Sequence, residues 1–101
     1  MNVDEKLINA MCEMFRMCPY IEKAVLFGSR ARGDNTERSD YDIAVYGDLP
    51  RDERARLRYD FDEALPTLHK IDLIFMQEQI ASEFTDNIEK EGVEFYGKNH
   101  E

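Results

Sequence analysis

Two aspartates separated by a single residue, Asp40 and Asp42, stand at the start of an apolar segment that continues to Tyr46. Side chains two residues apart on a strand point to the same face, so both carboxylates are expected on one side of a sheet. A third aspartate, Asp72, interrupts the hydrophobic residues of the segment IDLIF and points away from them if that segment is also a strand. If the two strands are neighbours with their apolar faces aligned, the three carboxylates form one cluster.

Three carboxylates held close together are stable only when protons or cations neutralise them. Two unit charges about 4 Å apart repel each other by about 4 kcal/mol at an effective dielectric constant of 20. Carboxylate oxygens suit Mg²⁺ and Mn²⁺, and two such ions can clamp the attacking and leaving oxygens of a phosphoryl transfer. The alternative is that Asp40 is a turn residue, Asp42 a solvated strand start and Asp72 an edge charge. The matching position of Asp72 on its own strand favours the metal site.

The turn that precedes the aspartates is a candidate phosphate site. Gly28 and Ser29 follow directly on an apolar segment, as in turns whose backbone N–H groups approach phosphate oxygens. Gly-Ser also ends many strands for conformational reasons alone. Arg30, Arg32 and Arg38 place positive charge beside the carboxylates, although each one is equally compatible with a solvated loop.

The apolar spacing predicts an α+β fold in which one small mixed sheet is backed by helices. The predicted strands are Ile21–Phe27, Tyr41–Tyr46, Ile71–Phe75 and a short final one within GVEFYG. The predicted helices run from Asn2 to about Pro19, from Pro50 to Pro66 and from Gln77 to about Glu89. Glu5 is expected to complete a capping box in the first helix. The expected inner faces are Leu7, Ile8, Met11, Phe15 and Cys18; then Leu57, Phe61, Ala64 and Leu65; then Ile80, Phe84 and Ile88.

Two further groups have assignments of their own. Arg51, Arg54 and Arg58 share one face of the second helix. They form either a docking or triphosphate-facing strip or a solvated face paired with acidic residues of the same helix. Tyr41 is expected to pack away from the carboxylates, and His69 has no visible partner.

The composition narrows the class of protein. The chain has 101 residues, with 43% hydrophobic and 35% charged, and is expected to form a single domain over residues 1–101. A net charge of −9 argues against binding long nucleic acids and fits docking onto a basic partner. No membrane span or secretion signal is visible. Cys12 and Cys18 are interpreted as buried thiols of a cytoplasmic protein.

The combination of motifs resembles a known superfamily. Gly28-Ser29, residues 30–39 and then Asp40-Tyr41-Asp42 match the signature of the polymerase-beta-type nucleotidyltransferases. The wording GSRARG…SDYDIAV with KIDLIF downstream is similar to the minimal nucleotidyltransferases, the MNT family, which are usually encoded beside an all-helical HEPN-domain protein.

The resemblance implies a nucleotidyltransferase palm fold, a set of site residues and a reaction. Gly28, Ser29 and Arg30 are then expected to bind ATP, while Asp40, Asp42 and Asp72 are expected to bind two Mg²⁺ ions. Asp72 would also be the base that activates an acceptor hydroxyl. AMP would pass from ATP to a hydroxyl, expected to be a tyrosine, of the HEPN partner, a toxin ribonuclease. The chain would then be an antitoxin in a hetero-oligomer.

Two other functions remain open at the level of sequence. The chain could neutralise its partner by binding alone, with a vestigial metal site. It could also modify a small molecule such as an aminoglycoside, although relatives that do so usually carry a further domain.

Overall fold

The structure, a computed structural model, describes residues 3–97. Within that range the chain forms helices and strands in a mixed order. They are α1 (Glu5–Arg16), β1 (Ile21–Phe27), α2 (Gly28–Arg32), β2 (Tyr41–Gly47), α3 (Arg51–Glu63), β3 (Ile71–Phe75), a 3₁₀ turn (Met76–Glu78), α4 (Glu83–Glu91) and β4 (Val93–Gly97). None of these helices is both long and apolar enough to cross a lipid bilayer.

The strands form one mixed sheet in the order β3-β2-β1-β4. β1 is antiparallel to both of its neighbours, whereas β2 and β3 are parallel. A parallel pair needs a crossover connection, which α3 supplies between β2 and β3. The predicted α+β class with a small mixed sheet is therefore confirmed.

The two faces of the sheet carry separate apolar clusters. The larger cluster includes Leu26, Ile43 and Phe75 from the sheet, packed against Phe15 of α1 and Phe61 of α3. The smaller cluster, on the opposite face, contains Val25, Ala44 and Ile88. Alternating strand residues thus face α1 and α3 on one side and α4 on the other. Asp42 and Asp72 lie on the α4 side of the sheet, opposite to the larger cluster.

The first helix begins later than the sequence suggested. Asp4 is its N-cap, and the Asp4 carboxylate accepts a hydrogen bond of 2.9 Å from the backbone N–H of Lys6. The expected capping box between Asn2 and Glu5 is wrong, because Asp4 is the N-cap. Asn2 itself lies outside the described residues. The predicted inner face is correct for its buried members, Leu7, Met11, Phe15 and Cys18.

The last two helices also depart from expectation at one end. α4 begins at Glu83, because Ser82 and Thr85 form a capping box there. Ile80 therefore precedes the helix and is 87% exposed, so its predicted inward position is wrong. Ile88 is buried as predicted, whereas Phe84 is half exposed.

In α3, Leu57 and Phe61 are buried as predicted, and Leu65, just beyond the helix, is partly buried against the same core. Ala64 is the exposed C-cap, so its predicted inward position is wrong.

Candidate active site

Asp42 and Asp72 lie directly opposite each other on neighbouring strands. They are register partners in the parallel pair β2–β3, so their side chains share one face of the sheet. The residues that follow them, Ile43 and Leu73, are buried on the other face. The expected proximity of Asp42 and Asp72 is thus confirmed, and Asp40 stands one residue before β2.

Ionisation of Asp42 is disfavoured by burial and by the charges of the other two aspartates. Burial raises the pKa of Asp42 above its ordinary value, and the negative charges of Asp72 and then Asp40 raise it further, while Arg32 and Lys70 oppose the shift. Asp40 and Asp72 are exposed, whereas Asp42 is partly buried. The ionised form of Asp42 is therefore destabilised in the folded protein, and a bound cation would stabilise it.

The three aspartates have the oxygen ligands that a hard divalent cation prefers, but they are not arranged as a complete metal site. Carboxylate oxygens are the ligands that Mg²⁺ prefers. Among residues 3–97, however, no three His, Cys, Asp or Glu side chains lie close enough together to hold a metal ion. The predicted cluster of three carboxylates is therefore not formed within the described residues. Asp42 and Asp72 form a pair, and the charge of Asp40 is near enough to raise the pKa of Asp42.

Gly28 lies directly against the Asp42 carboxylate. It has a positive φ of 73°, which favours glycine, and a Cβ there would collide with Asp42 Oδ2. The preceding residue, Phe27, is the register partner of Asp42 on the antiparallel side. The Gly28-Ser29 step therefore opens α2 within reach of the carboxylates; the sequence had indicated a loop here.

Arg30 binds the backbone just before Asp40 and stacks on the side chain just after it. Its side chain is 5% exposed and donates hydrogen bonds from Nε and Nη2 to the Ser39 carbonyl, at 3.1 and 3.0 Å. Nη2 also lies 3.4 Å from the Glu37 carbonyl, and the guanidinium stacks 4.1 Å from the centre of the Tyr41 ring. These contacts fix the loop that presents Asp40; a contact between Arg30 and nucleotide remains a prediction.

Most of the chain matches one known protein family. A family model described as "Polymerase beta, Nucleotidyltransferase" matches residues 9–101. The chain belongs to this nucleotidyltransferase family.

Individual relatives of this nucleotidyltransferase were also found. A Methanocaldococcus jannaschii protein that carries the name of a protein adenylyltransferase is 46% identical over 48 residues, which are 48% of this chain and 46% of that protein. The match thus spans about half the length of that relative. A Sulfolobus solfataricus protein described as a nucleotidyltransferase is 25% identical with a TM-score of 0.58, over 94% of this chain and 78% of that one.

Two toxin–antitoxin structures share the fold. A complex with AMP-PNP has a TM-score of 0.70 at 24% identity, over 92% of this chain and 75% of that one. A complex of a tri-AMPylated Shewanella oneidensis HEPN toxin with its MNT antitoxin has a TM-score of 0.67 at 21% identity, over 95% and 74%. At these identities the likeness concerns the fold alone.

Other arginines of the nucleotidyltransferase occupy distinct places. Arg32 lies near enough to Asp42 to lower its pKa and also forms ion pairs with Asp34 at 3.2 Å and Glu91 at 3.7 Å. It therefore carries positive charge beside the carboxylates, as predicted. The side chain of Arg38 is exposed on the loop.

The arginines of α3 fasten the helix to the sheet edge. Arg54 donates to the Leu49 carbonyl and Arg58 to the Leu73 carbonyl, both at 2.8 Å. Both also reach Glu78, at 4.0 and 3.4 Å. Two of the three residues of the expected strip are thus engaged in structural contacts that differ from both predicted alternatives.

Tyr41 packs away from the carboxylates as predicted. It is 2% exposed in the larger core, and its hydroxyl accepts a hydrogen bond from the backbone N–H of Asp4 at 3.3 Å. His69 lies edge-on to the Tyr41 ring at 5.6 Å, so its visible contact is with the core rather than with the site.

Proposed function

We propose that this chain is a magnesium-dependent antitoxin that transfers AMP from ATP to a hydroxyl of a HEPN-type toxin. The observation that carries the proposal is the register pairing of Asp42 with Asp72, directly beside Gly28. Membership of the nucleotidyltransferase family supports the reaction class.

Each residue of the site has a proposed task. Gly28 lets the backbone lie against the Asp42 carboxylate, and Ser29 is proposed to offer its hydroxyl and backbone amide to phosphate oxygens beside it. Asp42 and Asp72, joined by Asp40, would hold Mg²⁺, which when bound supplies positive charge that offsets the charge of the triphosphate. Positioning and charge neutralisation would then provide most of the rate acceleration.

The reaction needs one proton acceptor. The acceptor oxygen forms a bond to the α-phosphorus while the bond from that phosphorus to the bridging oxygen of the β-phosphate breaks, and pyrophosphate leaves. Asp72 is exposed at the sheet edge and is proposed to take the hydroxyl proton. Arg30, by binding the Ser39 carbonyl just before Asp40, is proposed to keep that ligand near the other two.

The choice of partner rests on charge and on the fold neighbours. A net charge of −9 favours docking onto a basic protein, as expected for an enzyme that handles RNA. The Shewanella oneidensis complex pairs an MNT antitoxin with an AMPylated HEPN toxin. We extend that pairing to this chain, with a tyrosine as acceptor. The two buried free thiols, Cys12 and Cys18, are compatible with a cytoplasmic location.

Mass spectrometry of the partner tests the proposal. The purified chain, incubated with ATP, Mg²⁺ and the protein encoded beside it, should add one or more AMP masses to that protein. Replacing both Asp40 and Asp42 with Asn, or adding EDTA, should abolish the addition. Glu13→Gln combined with Glu22→Gln, at two exposed positions, is the matched control for the loss of two negative charges. Undiminished transfer by the double variant would refute the mechanism.

A purely binding antitoxin is the second candidate. It is favoured by the absence, within residues 3–97, of a closed three-ligand arrangement. Under this alternative Asp42→Asn would still protect cells from the toxin, whereas the transferase predicts loss of protection. The two functions are therefore separated by one cell-survival measurement.

A further inference from the structure

A cavity of about 240 Å³ lies between α2 and α4, on the sheet face that carries Asp42. Phe27 and Gly28 form its wall on the side of the carboxylates, and Phe84 and Asn87 of α4 form the facing wall. Pockets for whole small ligands usually measure about 300–1,000 Å³. The cavity is therefore suited to one ring system of a nucleotide rather than to all of it.

The cavity is continuous with the proposed phosphate and metal site. Phe27 is the register partner of Asp42, and Gly28 lies against the Asp42 carboxylate. Arg32 also borders the cavity and pairs across it with Glu91 of α4 at 3.7 Å. A nucleotide whose phosphates lie at Gly28 can thus extend its other end between α2 and α4.

Phe84 offers an aromatic surface at the rim of this cavity. It is 48% exposed although it is a large apolar residue, and its ring meets Phe27 in an edge-to-face contact with 6.0 Å between centroids. The contact with Phe27 fixes the ring while leaving much of it open. Any of the nucleobases can stack on such a ring, because each has a flat aromatic face.

Asn87 brings a selective polar group to the same cavity. It follows Phe84 by three residues on α4, so the two side chains are neighbours on the helix surface. Within residues 3–97 its exposed side-chain amide has no hydrogen bond to another residue. An asparagine amide can donate to N7 and accept from the N6 amino group of adenine, whereas guanine presents two acceptors at the equivalent positions.

We propose that this cavity binds the nucleobase, with Phe84 as the stacking surface and Asn87 as the residue that selects adenine over guanine. The inference rests on the proposed function and specifies which nucleotide the site prefers and why.

Calorimetric titration with non-hydrolysable analogues of ATP and GTP tests the assignment in the full chain with Mg²⁺. The unsubstituted chain should bind the ATP analogue more tightly. Asn87→Ala removes both the donor to adenine N7 and the acceptor for the N6 amino group, so the preference for ATP should fall about tenfold or more. Asn9→Ala, on the exposed face of α1, is the matched control.

The stacking surface has its own pair of variants. Phe84→Leu should weaken both analogues about tenfold, because it keeps apolar bulk but loses the flat ring. Phe84→Tyr keeps the ring and should bind both analogues as the unsubstituted chain does.

The outcomes separate this inference from the proposed function. Equal binding of both analogues by the unsubstituted chain, or an unchanged preference in Asn87→Ala, would overturn the base site even if AMP transfer to the partner persists. Weakened partner binding with unchanged nucleotide binding would also overturn it and assign the cavity to the partner. Selective adenine binding without AMP transfer would support the base site and refute the transferase.

Discussion

In the absence of a divalent cation, replacing Asp42 with Asn should stabilise the protein. Asp42 and Asp72 face each other on adjacent strands, and their mutual repulsion is part of the cause that raises the pKa of Asp42. Removing one of the two charges removes that repulsion at nearly constant side-chain volume. A substitution that disables the proposed enzyme is therefore expected to produce a more stable fold.

The size of the effect follows from the strand spacing. Neighbouring strands lie about 4.8 Å apart, and two unit charges at that distance repel by about 3.5 kcal/mol at a dielectric constant of 20. Asp72 is exposed and Asp42 is only partly buried, so screening by solvent reduces the repulsion to about 1 kcal/mol. For a domain of this size, about 1 kcal/mol raises the melting temperature by about 4–8 °C.

The gain should depend on pH with a definite sign. Because the pKa of Asp42 is raised in the folded state, its ionised form opposes folding at every pH above that raised pKa. This penalty disappears as the pH falls through the folded pKa toward the ordinary value of 3.8. The stabilisation by Asp42→Asn should therefore be full near pH 7 and vanish at acidic pH.

Thermal melts in EDTA across that pH range provide the assay. Asp72→Asn should produce a smaller gain than Asp42→Asn, and the double variant should gain less than the sum, because one repulsion cannot be removed twice. Glu13→Gln again controls for net charge. A melting temperature at or below that of the unsubstituted chain for Asp42→Asn near pH 7, or strict additivity with Asp72→Asn, would refute the electrostatic reasoning.

Three more expectations concern the surroundings of the site. Gly28→Ala should abolish AMP transfer because its Cβ meets the Asp42 carboxylate, whereas Gly33→Ala, which also has a positive φ but open space around its Cβ, should cost only about 1 kcal/mol and keep transfer; equal transfer rates in the two variants would contradict this. Arg30→Lys should lower the free energy of unfolding by about 1–3 kcal/mol and reduce transfer, since lysine cannot reproduce the fork that binds two carbonyls; unchanged denaturant midpoints would contradict it. Arg58→Ala should lower stability by about 1 kcal/mol in the same assay with an unchanged KM for ATP, and a raised KM would restore the triphosphate-facing reading.

Much of the sheet could be predicted from local sequence. β1 and β3 begin and end where predicted, because most residues of both segments are apolar and each segment begins and ends with an apolar residue. Strand alternation also placed Asp42 and Asp72 on a common face before their pairing was known. Period-two patterning and one correct assumption of adjacency were sufficient for that step.

Features that depend on tertiary partners were not visible in the sequence. The start of α4 was missed because Ile80 extends the apolar period beyond the helix, while the cap at Ser82 uses Thr85 in place of the usual Glu or Gln. The role of Arg30 was missed because its partners are backbone carbonyls, which have no residue signature. The cavity beside Phe84 depends on how α4 lies against α2, and helical spacing within one segment does not encode that arrangement.

The parallel pairing of β2 with β3 makes the site a checkpoint on folding fidelity. A register shift of one residue between these strands would turn Asp72 toward the apolar core and bring Leu73 beside Asp42. A chain with that register would have no paired carboxylates. A cation that binds only the correct alignment would then favour that alignment by mass action. Binding of the cation would thus also select the correctly paired sheet.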